Sequence, residues 1–400
     1  MSRYTPKQIG FMKEALRLAR QGWGIVSPNP MVGAVLTKRG QIIAKAWHTG
    51  PGRPHAEAAV LNEAGRAAKG SELFVNLEPC NHYGRTGPCS EAIVEAGVSK
   101  VYYSVLDPNP VAAGGAAALE SAGVEVDEGL LAERAWELNQ FFFKWVTTGL
   151  PFVILKTAAS LDGKIATVTG DSRWISSKSA RNFVHDIRAG VDAILVGRNT
   201  AFKDDPELSA RPWGCRKMHN QPWRVVLDPY LRLDRTLKIF NPELGGPTVI
   251  CCSEQADKSS KEAVRRLGHT VWEIPKVNSG LLSLPSVIAK LGANGIQSTL
   301  IECGATLASS ALIEDPVGDL VHIFLAPKFI GGQEAPTMIG GPGLPKLDEI
   351  KNLEIIKIGR KGPDIHVMVR PSGAFRPPFS SRPIESTGKD LVDSGERDIK

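Results

Sequence analysis

One histidine, one glutamate and two cysteines carry the clearest chemical signal in this sequence of 400 residues. His55 and Glu57 form an H-x-E pair in the segment PHAEAAV. Cys80 follows a proline, and eight residues separate it from Cys89. One imidazole and two thiolates suit tetrahedral Zn²⁺ with one open position, whereas a closed structural site needs a fourth cysteine or histidine. The open position predicts a catalytic zinc, which lowers the pKa of its bound water towards roughly 7.

Glu57 is predicted to move protons rather than to bind the metal. A carboxylate beside the metal-bound water can take its proton and deliver it to a departing ammonia. H-x-E followed by P-C-x-x-C is typical of zinc deaminases that act on nucleobase rings. Here eight residues separate the cysteines instead of two, so NHYGRTGP forms an additional loop. Arg85 and Thr86 in that loop are suitable donors for a phosphate, although a simple surface insertion is the alternative.

A regular alternation of strand-like and helix-like segments must position these residues. Two strand-like segments, MVGAVLT and QIIAKAWH, precede the helix that begins at the H-x-E pair, and ELFVNL leads to Cys80. Cys89 begins the next helix-like segment. H-x-E alone occurs often by chance, but this ordered set favours a metal site over surface residues. Strands that alternate with helices of about ten to fifteen residues predict an α/β fold, a sheet flanked by helices.

A turn at residues 147–151, TTGLP, separates this region from a second one in which the alternation resumes. The last residues of the chain are rich in proline, serine and charge and show no periodicity. We therefore predict a zinc deaminase domain over residues 1–146, a second domain over residues 150–370 and a disordered tail over residues 371–400.

Composition restricts the class of protein more than its activity. Six cysteines are too few for a disulfide scaffold, so a reducing, cytoplasmic location is expected. No apolar run has the length of a membrane span, and the N-terminus lacks the apolar region of a secretory signal. The net charge of +6 favours anionic partners, which would suit phosphorylated metabolites as well as nucleic acid.

The second domain offers no single diagnostic motif. It contains no G-x-G-x-x-G after a strand, so the ordinary dinucleotide-binding fingerprint is missing. Short polar and glycine-containing clusters, among them KTAASLDGKIA and ECGATLASSAL, occur where predicted strands end. Ligands collect at the carboxyl ends of strands in open α/β sheets, and the helix after Gly304 could bind an anion. Each cluster taken alone could equally be a plain turn.

Four segments of the first domain resemble one known family. SPNPMVGAVL, HAEAAVL, LEPCNHYGRTGPC and DPNP are similar to the deaminase half of the bifunctional riboflavin-biosynthesis deaminase–reductases, in which the eight-residue cysteine gap is characteristic. The resemblance implies a cytidine-deaminase-like three-layer domain that removes the ring amino group of 2,5-diamino-6-ribosylamino-4(3H)-pyrimidinone 5′-phosphate. It also implies that Asn29 and His48 contact the pyrimidine and ribose, and that Arg85 and Thr86 bind the phosphate.

The polar clusters of the second domain resemble, in the same order, the reductase half of that family. The resemblance implies a dihydrofolate-reductase-like fold and NADPH, which would reduce the ribosyl group to ribityl. Lys156 and Asp204 would lie nearest the hydride acceptor, with Asp204 as proton donor, and Arg188 and Arg211 would clamp the phosphate. The implied substrate contacts are Ser172, Arg188, Leu208, Arg211 and Glu302. The implied cofactor contacts are Ala159, Trp174, Thr200, Asp204, Gly304, Ala305, Thr306, Leu307, Ala308, Ser309 and Ser310.

The resemblance covers about residues 5–370, with two departures. VAAGGAA replaces a glycine-flanked charged step after DPNP, which could loosen that turn, and Cys303 replaces a smaller residue. We expect one Zn²⁺ per chain, NADPH, a small phosphorylated pyrimidine and a homo-oligomer, with no nucleic acid and no membrane. There are three alternatives: a protein of the same fold in which only one of the two activities is functional, a nucleic-acid-binding or RNA-editing deaminase, and a non-enzymatic zinc module. Dispersed lysines and arginines disfavour nucleic acid, and the three-ligand set disfavours a purely structural zinc.

Overall fold

The computed structural model describes residues 3–83, 87–212 and 221–378. The chain divides into two compact units, Met1–Gly149 and Leu150–Lys400. Gly149 ends the last helix of the first unit in a left-handed conformation with φ of 72°, and its N–H donates to the Trp145 carbonyl. No helix within the described ranges is long and apolar enough to cross a membrane.

The first unit is a mixed sheet with helices packed on it. In its described residues the strand order is β2-β1-β3-β4-β5, with β1 antiparallel to β2 and β3 and the remaining pairs parallel. The helices are α1 (Pro6–Ala19), α2 (Ala56–Ala64), α3 (Cys89–Glu95), α4 (Gly115–Ser121) and α5 (Ala132–Thr148). The strands are β1 (Gly33–Lys38), β2 (Gln41–Trp47), β3 (Glu72–Val75), β4 (Lys100–Tyr103) and β5 (Glu125–Glu128).

Helix α1 shows how local sequence fixes one of these contacts. Thr5 and Gln8 form a capping box and Pro6 occupies the first turn, so the start of the helix is defined by its own residues. The helix buries Met12 and Ala15 against the sheet. A Cβ on Gly33 would lie 2.2 Å from the Ala15 carbonyl oxygen, so only glycine lets β1 approach α1 this closely.

The second unit contains a larger sheet, whose described strands have the order β10-β9-β8-β7-β11-β6-β12-β14-β13. Strands β10 to β12 in that order are parallel, and β14 and β13 add an antiparallel hairpin. The strands are β6 (Phe152–Ser160), β7 (Ala193–Gly197), β8 (Trp223–Leu227), β9 (Thr248–Cys252), β10 (Thr270–Glu273), β11 (Ser298–Glu302), β12 (Leu320–Ala326), β13 (Leu353–Lys361) and β14 (Asp364–Pro371). The helices are α6 (Lys178–Gly190), α7 (Arg198–Asp204), α8 (Lys258–Arg266), α9 (Leu284–Ala293) and α10 (Ala305–Ser309), which continues into a π-helical turn, Ser310–Glu314.

The strand order of the second unit determines which polar residues meet. Strand β11 lies between β7 and β6, so the carboxyl ends of these three parallel strands are neighbours. Glu302 at the end of β11 is in register with Lys156 on β6. Helix α7 follows β7 without an intervening loop and ends at Asp204. Residues separated by about 150 positions are thereby brought to one edge of the sheet.

The ordered chain continues beyond residue 370, where the second domain was predicted to end. The Phe375 N–H donates to the Asp319 carboxylate at 3.2 Å, and Arg376 forms an ion pair with Glu354 at 2.9 Å. Residues 375 and 376 therefore contact the second unit directly. Residues 379–400 of the predicted tail lie outside the described residues.

Candidate active sites

The three predicted zinc ligands come from three different elements and meet at one point. His55 is the residue immediately before α2, Cys89 begins α3, and Cys80 lies in the loop that follows β3. The His55 Nδ1 atom lies 3.4 Å from Cys80 Sγ and 3.3 Å from Cys89 Sγ. All three ligand atoms lie within 4.8 Å of one another. The spacing fits three corners of a tetrahedral metal site.

The three groups shift one another's pKa values through their mutual hydrogen bonds. The pKa of Cys80 is lowered to about 4, because its sulfur accepts hydrogen bonds from the Cys89 thiol and from His55 despite burial. The shared proton and burial raise the pKa of Cys89. The pKa of His55 is raised to about 8, mainly by its hydrogen bond with Cys80. A bound cation would replace these shared protons, as metal binding to thiols and imidazoles generally does.

Glu57 lies in the first turn of α2, beside the three ligands, and is buried. Burial is the main cause that raises its pKa to about 7, and the negative charge of Cys80 adds to it. A carboxyl group that changes protonation near neutral pH can both accept and donate a proton. Its position two residues after His55 places it against the ligand set without making it a member of the cluster.

The predicted contacts to the pyrimidine and ribose, Asn29 and His48, touch each other. The Asn29 Nδ2 atom lies 2.9 Å from His48 Nε2, while His48 Nδ1 lies 3.0 Å from the Pro54 carbonyl oxygen. Since a carbonyl can only accept, Nδ1 carries the proton and Nε2 accepts from Asn29. Burial lowers the pKa of His48 and so favours the neutral ring. Its ring centroid lies 5.6 Å from that of His55, so this pair borders the ligand cluster. Arg85 and Thr86, the predicted phosphate donors, lie outside the described residues.

In the second unit, Lys156, Arg188 and Glu302 form a charged cluster. The Arg188 guanidinium donates two hydrogen bonds to the Glu302 carboxylate, at 2.5 and 2.9 Å, and both side chains are largely buried. Burial raises the pKa of Glu302. The positive charge and the hydrogen bonds of Arg188 have the larger combined effect, so the pKa of Glu302 is lowered overall. Burial lowers the pKa of Lys156, and the nearby Glu302 carboxylate opposes that shift.

Asp204 completes this cluster from the end of α7. Burial raises its pKa, while the positive charges of Arg173 and Lys156 oppose the rise. Arg173 is held nearby, because its guanidinium donates to the Asp204 main-chain oxygen at 2.6 Å. Asp204 therefore lies close enough to Lys156 for each to influence the pKa of the other.

The two arginines predicted to clamp a phosphate already have carboxylate partners. Arg188 is paired with Glu302, and the guanidinium of Arg211 is paired with Glu207, four residues earlier. Arg188 also donates to the Ser209 carbonyl at 3.1 Å. A phosphate bound here would have to share or displace these carboxylates. Of the other predicted substrate contacts, Leu208 is buried and Ser172 is partly buried.

The predicted cofactor residues border the same edge of the sheet. Trp174 is exposed under the Arg181 guanidinium, which lies 4.4 Å from its ring centroid. A Cβ on Gly304 would lie 3.9 Å from Thr200 Oγ1, so the residues after β7 and β11 are adjacent. Ala159 lies on β6 and is buried. The residues from Gly304 to Ser310 comprise α10 and its two capping residues. Leu307 packs on the core, and Ala308, Ser309 and Ser310 are buried. Gly304, Ala305 and Thr306 are therefore the more accessible part.

Three residues near these sites were not singled out from the sequence. Glu78 is buried directly before Pro79-Cys80. His185 accepts the Arg211 N–H at Nδ1, and Glu207 holds the Arg211 side chain. The position of Glu78 close to the predicted metal ligand Cys80 could have drawn attention to it, whereas no sequence pattern indicated His185 or Glu207.

Cys303 packs against the core, and its thiol donates to the Lys156 carbonyl at 3.5 Å.

Comparison with known proteins finds a different family match in each unit. The family described as "Cytidine and deoxycytidylate deaminase zinc-binding region" matches residues 6–105, and "RibD C-terminal domain" matches residues 151–367. The chain is 41% identical to riboflavin biosynthesis protein RibD of Bacillus amyloliquefaciens, over 90% of this chain and 95% of that protein. It is 37% identical to RibD of Escherichia coli, over 89% of this chain and 97% of that protein.

Solved structures of RibD-type proteins are also similar to nearly the whole chain. Acinetobacter baumannii RibD is 35% identical with a TM-score of 0.80, covering 92% of this chain and 99% of that one. A Thermotoga maritima protein titled diaminohydroxyphosphoribosylaminopyrimidine deaminase/5-amino-6-(5-phosphoribosylamino)uracil reductase is 34% identical with a TM-score of 0.79, covering 91% and 99%. These matches confirm the predicted fold class, a cytidine-deaminase-like domain followed by a dihydrofolate-reductase-like domain, and the two enzyme activities. The chain belongs to the RibD family of bifunctional riboflavin-biosynthesis enzymes, with one deaminase and one reductase domain.

Proposed function

We propose that the first unit removes the ring amino group of the diaminopyrimidine ribotide named in the sequence analysis, using zinc held by His55, Cys80 and Cys89. We propose further that the second unit reduces the ribosyl group of the deaminated product with NADPH. The observation that carries the first proposal is the convergence of three ligand atoms within 4.8 Å beside a buried carboxyl group. The second is supported by family membership and by the charged cluster at the ends of β6, β7 and β11.

The donor set fits zinc better than a hard cation. Two sulfurs and one imidazole nitrogen are soft or borderline ligands, and carboxylate and carbonyl oxygens would be expected for Mg²⁺ or Ca²⁺. When bound, zinc supplies Lewis acidity that makes a water molecule nucleophilic near neutral pH. His55 and the two cysteines would hold the ion, and a set of three protein ligands would leave a tetrahedral ion one further position.

Glu57 is assigned the proton transfers. Because burial raises its pKa to about 7, the group can take a proton from the attacking water and return it to the leaving ammonia without a strong driving force in either direction. Asn29 and His48 are assigned to orient the pyrimidine and ribose. His48 is suited to this role, because its ring is held by the Pro54 carbonyl in one tautomer. Arg85 and Thr86 are assigned to the substrate phosphate.

In the second unit, NADPH when bound would supply the hydride that reduces C1′ of the ribosyl group. Asp204 is proposed as the proton donor, because burial raises its pKa and so favours the protonated carboxyl form. Lys156 is proposed to lie with Asp204 nearest the hydride acceptor. Arg188 and Arg211 would clamp the phosphate, and Ser172, Leu208 and Glu302 would line the remainder of the substrate site. Ala159, Trp174, Thr200, Asp204 and the Gly304–Ser310 turn are proposed cofactor contacts.

The remaining proposals concern the domain boundaries and the oligomeric state. We propose functional domains over residues 1–146 and 150–370, and a homo-oligomer. Strand β13 supports an oligomer, since it forms one edge of the described sheet and exposes Leu353, Ile355 and Ile358. The cytoplasmic location and the disorder of the tail stay predictions.

Incubation of the full chain with the diaminopyrimidine ribotide tests the whole proposal. Without NADPH, mass analysis should show only the replacement of the ring amino group by an oxygen from water, with release of ammonia. With NADPH it should also show the gain of two hydrogens. Glu57→Gln should retain zinc yet lose about 10²–10⁴-fold in ammonia release, as expected for a general acid–base group. Asp204→Ala should lose NADPH oxidation and retain ammonia release, so each variant serves as a control for the other. Normal deamination by Glu57→Gln would remove Glu57 from the proton path.

A further inference from the structure

We propose that Glu78 is a positioning residue for the metal ligand Cys80, an inference that rests on the zinc site proposed above. Glu78 lies two residues before Cys80, and only 4% of its surface is exposed. Its own N–H donates to the Val105 carbonyl at 2.9 Å, which ties the end of β3 to the end of β4. Its carboxylate reaches the chain from Asp107 to Ala116, here called the 107–116 segment.

Three main-chain N–H groups of the 107–116 segment donate to this one carboxylate. Oε1 accepts from Gly114 at 3.1 Å and from Ala116 at 3.0 Å, and Oε2 accepts from Asp107 at 3.2 Å. A buried carboxylate is costly unless it is hydrogen-bonded, and these three donors satisfy it. The carboxylate therefore fixes both ends of the 107–116 segment relative to β3.

The 107–116 segment in turn contacts the residues on either side of the Cys80 sulfur. The Asn81 N–H donates to the Ala112 carbonyl at 2.9 Å. A Cβ on Gly115 would lie only 1.7 Å from the Pro79 carbonyl oxygen, so the two backbones are in direct contact. Pro79 and Asn81 are thus both held from the same side, and the direction of the Cys80 side chain between them is set by that packing.

The Cys80 backbone also reaches the second cysteine. Its carbonyl accepts the Ser90 N–H at 3.2 Å, and its sulfur accepts the Cys89 N–H at 3.5 Å. A shift of the Pro79–Asn81 turn would therefore disturb the spacing of both sulfurs from His55. Glu78 acts on the metal site through this turn and contacts no ligand atom itself.

Two substitutions of Glu78 remove different numbers of its hydrogen bonds. Glu78→Ala removes all three hydrogen bonds. Glu78→Gln retains a carbonyl oxygen for Gly114 and Ala116, but places an N–H₂ group against the Asp107 N–H, so it should lose one contact only. Glu72→Ala is the matched control, because Glu72 is the same residue type at the opposite end of β3.

The experiment measures Zn²⁺ affinity of the metal-free full chain by chelator competition, and the absorption of its Co²⁺ form. Glu78→Ala should weaken Zn²⁺ affinity by about 10- to 100-fold, as loss of outer-shell support does elsewhere. Its Co²⁺ thiolate band should weaken or shift, because Cys80 is no longer held in place. Glu78→Gln should be intermediate, Glu72→Ala unchanged, and NADPH-dependent reduction of the deaminated substrate should be normal in all three.

Zn²⁺ affinity and a Co²⁺ spectrum equal to wild type in Glu78→Ala would overturn the positioning role. Should that variant fail to fold, wild-type values in Glu78→Gln would overturn it equally. A wild-type chain that bound neither ion would contradict the zinc site itself, so the two failures can be told apart.

Discussion

In the first unit, the ligand atoms of His55, Cys80 and Cys89 converge within 4.8 Å. In the second unit, the Arg188 guanidinium already forms two hydrogen bonds with Glu302. The first cluster is a set of donors that a cation would complete. In the second cluster, the positive charges of Arg188 and Lys156 already face the negative charge of Glu302. A ligand can therefore enter the first site by displacing protons, but in the second it must compete with ion pairs that stabilise the fold.

The difference predicts how each site responds to damage. Loss of a metal ligand should affect chemistry more than folding, because the first unit has its own apolar core around Met12, Val35 and Phe74. Loss of one member of a buried ion pair leaves an uncompensated charge and should affect folding as well as chemistry.

Metal removal should have the largest effect and should be confined to one activity. Treatment of the full chain with a chelator should abolish ammonia release, because no other described group can replace a Lewis acid there. NADPH oxidation with the deaminated substrate should be unchanged, and added Zn²⁺ should restore deamination. Parallel assays of ammonia and NADPH measure both activities. Equal loss of both would contradict the independence of the two sites.

Substitution of Glu302 tests the opposite property of the second unit. Glu302→Ala should destabilise that unit by about 3–5 kcal/mol, since Arg188 and Lys156 would remain buried without their carboxylate. The matched control is Glu207→Ala, whose partner Arg211 is exposed and whose loss should cost at most about 1 kcal/mol. Urea unfolding of the two variants measures the difference. Equal costs would mean that the Arg188–Glu302 pair contributes no more than a surface ion pair.

The same contrast explains what the sequence could reveal. The predicted zinc ligands occupy short segments in a characteristic order, so pattern and chemistry together were enough to predict that His55, Cys80 and Cys89 meet. The Lys156–Glu302 pair depends on β11 lying beside β6, and strand order cannot be read from alternation alone. The reductase residues were reached through family resemblance, which said nothing of their present partners, such as Glu207 for Arg211.

Helix α4 shows a second limit. VAAGGAA was expected to loosen the turn after DPNP, because it replaces a glycine-flanked charged step of the family. In the structure the Gly114 N–H donates to Glu78, and Gly115 lies against the Pro79 carbonyl. The glycines permit a close contact instead of flexibility. Such a contact joins segments about 36 residues apart, so it cannot be predicted from the local sequence around the glycines.

Gly115→Ala should test this contact with a smaller effect than Glu302→Ala. The new Cβ would lie 1.7 Å from the Pro79 carbonyl oxygen, so the backbone must shift, at a cost of about 1–3 kcal/mol. Gly10→Ala is the control, because no atom lies within 4 Å of its Cβ position and alanine should stabilise α1 by roughly 1 kcal/mol. Thermal unfolding should separate the two variants in opposite directions. A neutral Gly115→Ala would show that the segments can move apart freely.

The smallest expected effect concerns pH and the second unit. His322 Nδ1 lies 2.9 Å from His366 Nε2, and the buried rings are stacked. Burial is the main cause that lowers their pKa values, to about 3 and about 4, with Lys361 adding repulsion to both. Because the unfolded chain binds protons near pH 6.5 and the folded chain does not, stability is complete above that pH and is lost as pH falls towards 4.

Each histidine should cost about 1 kcal/mol of unfolding free energy between pH 6.5 and 5.5. His366→Phe, which keeps an aromatic ring beside Phe324, should remove one of the two contributions and so flatten the dependence. Urea unfolding of wild type and variant at several pH values measures the two slopes. Equal slopes would mean that His366 is protonated in the folded chain. The second unit would then tolerate a buried positive charge beside Lys361, and the internal charge balance that distinguishes it from the zinc site would not extend to this part of its sheet.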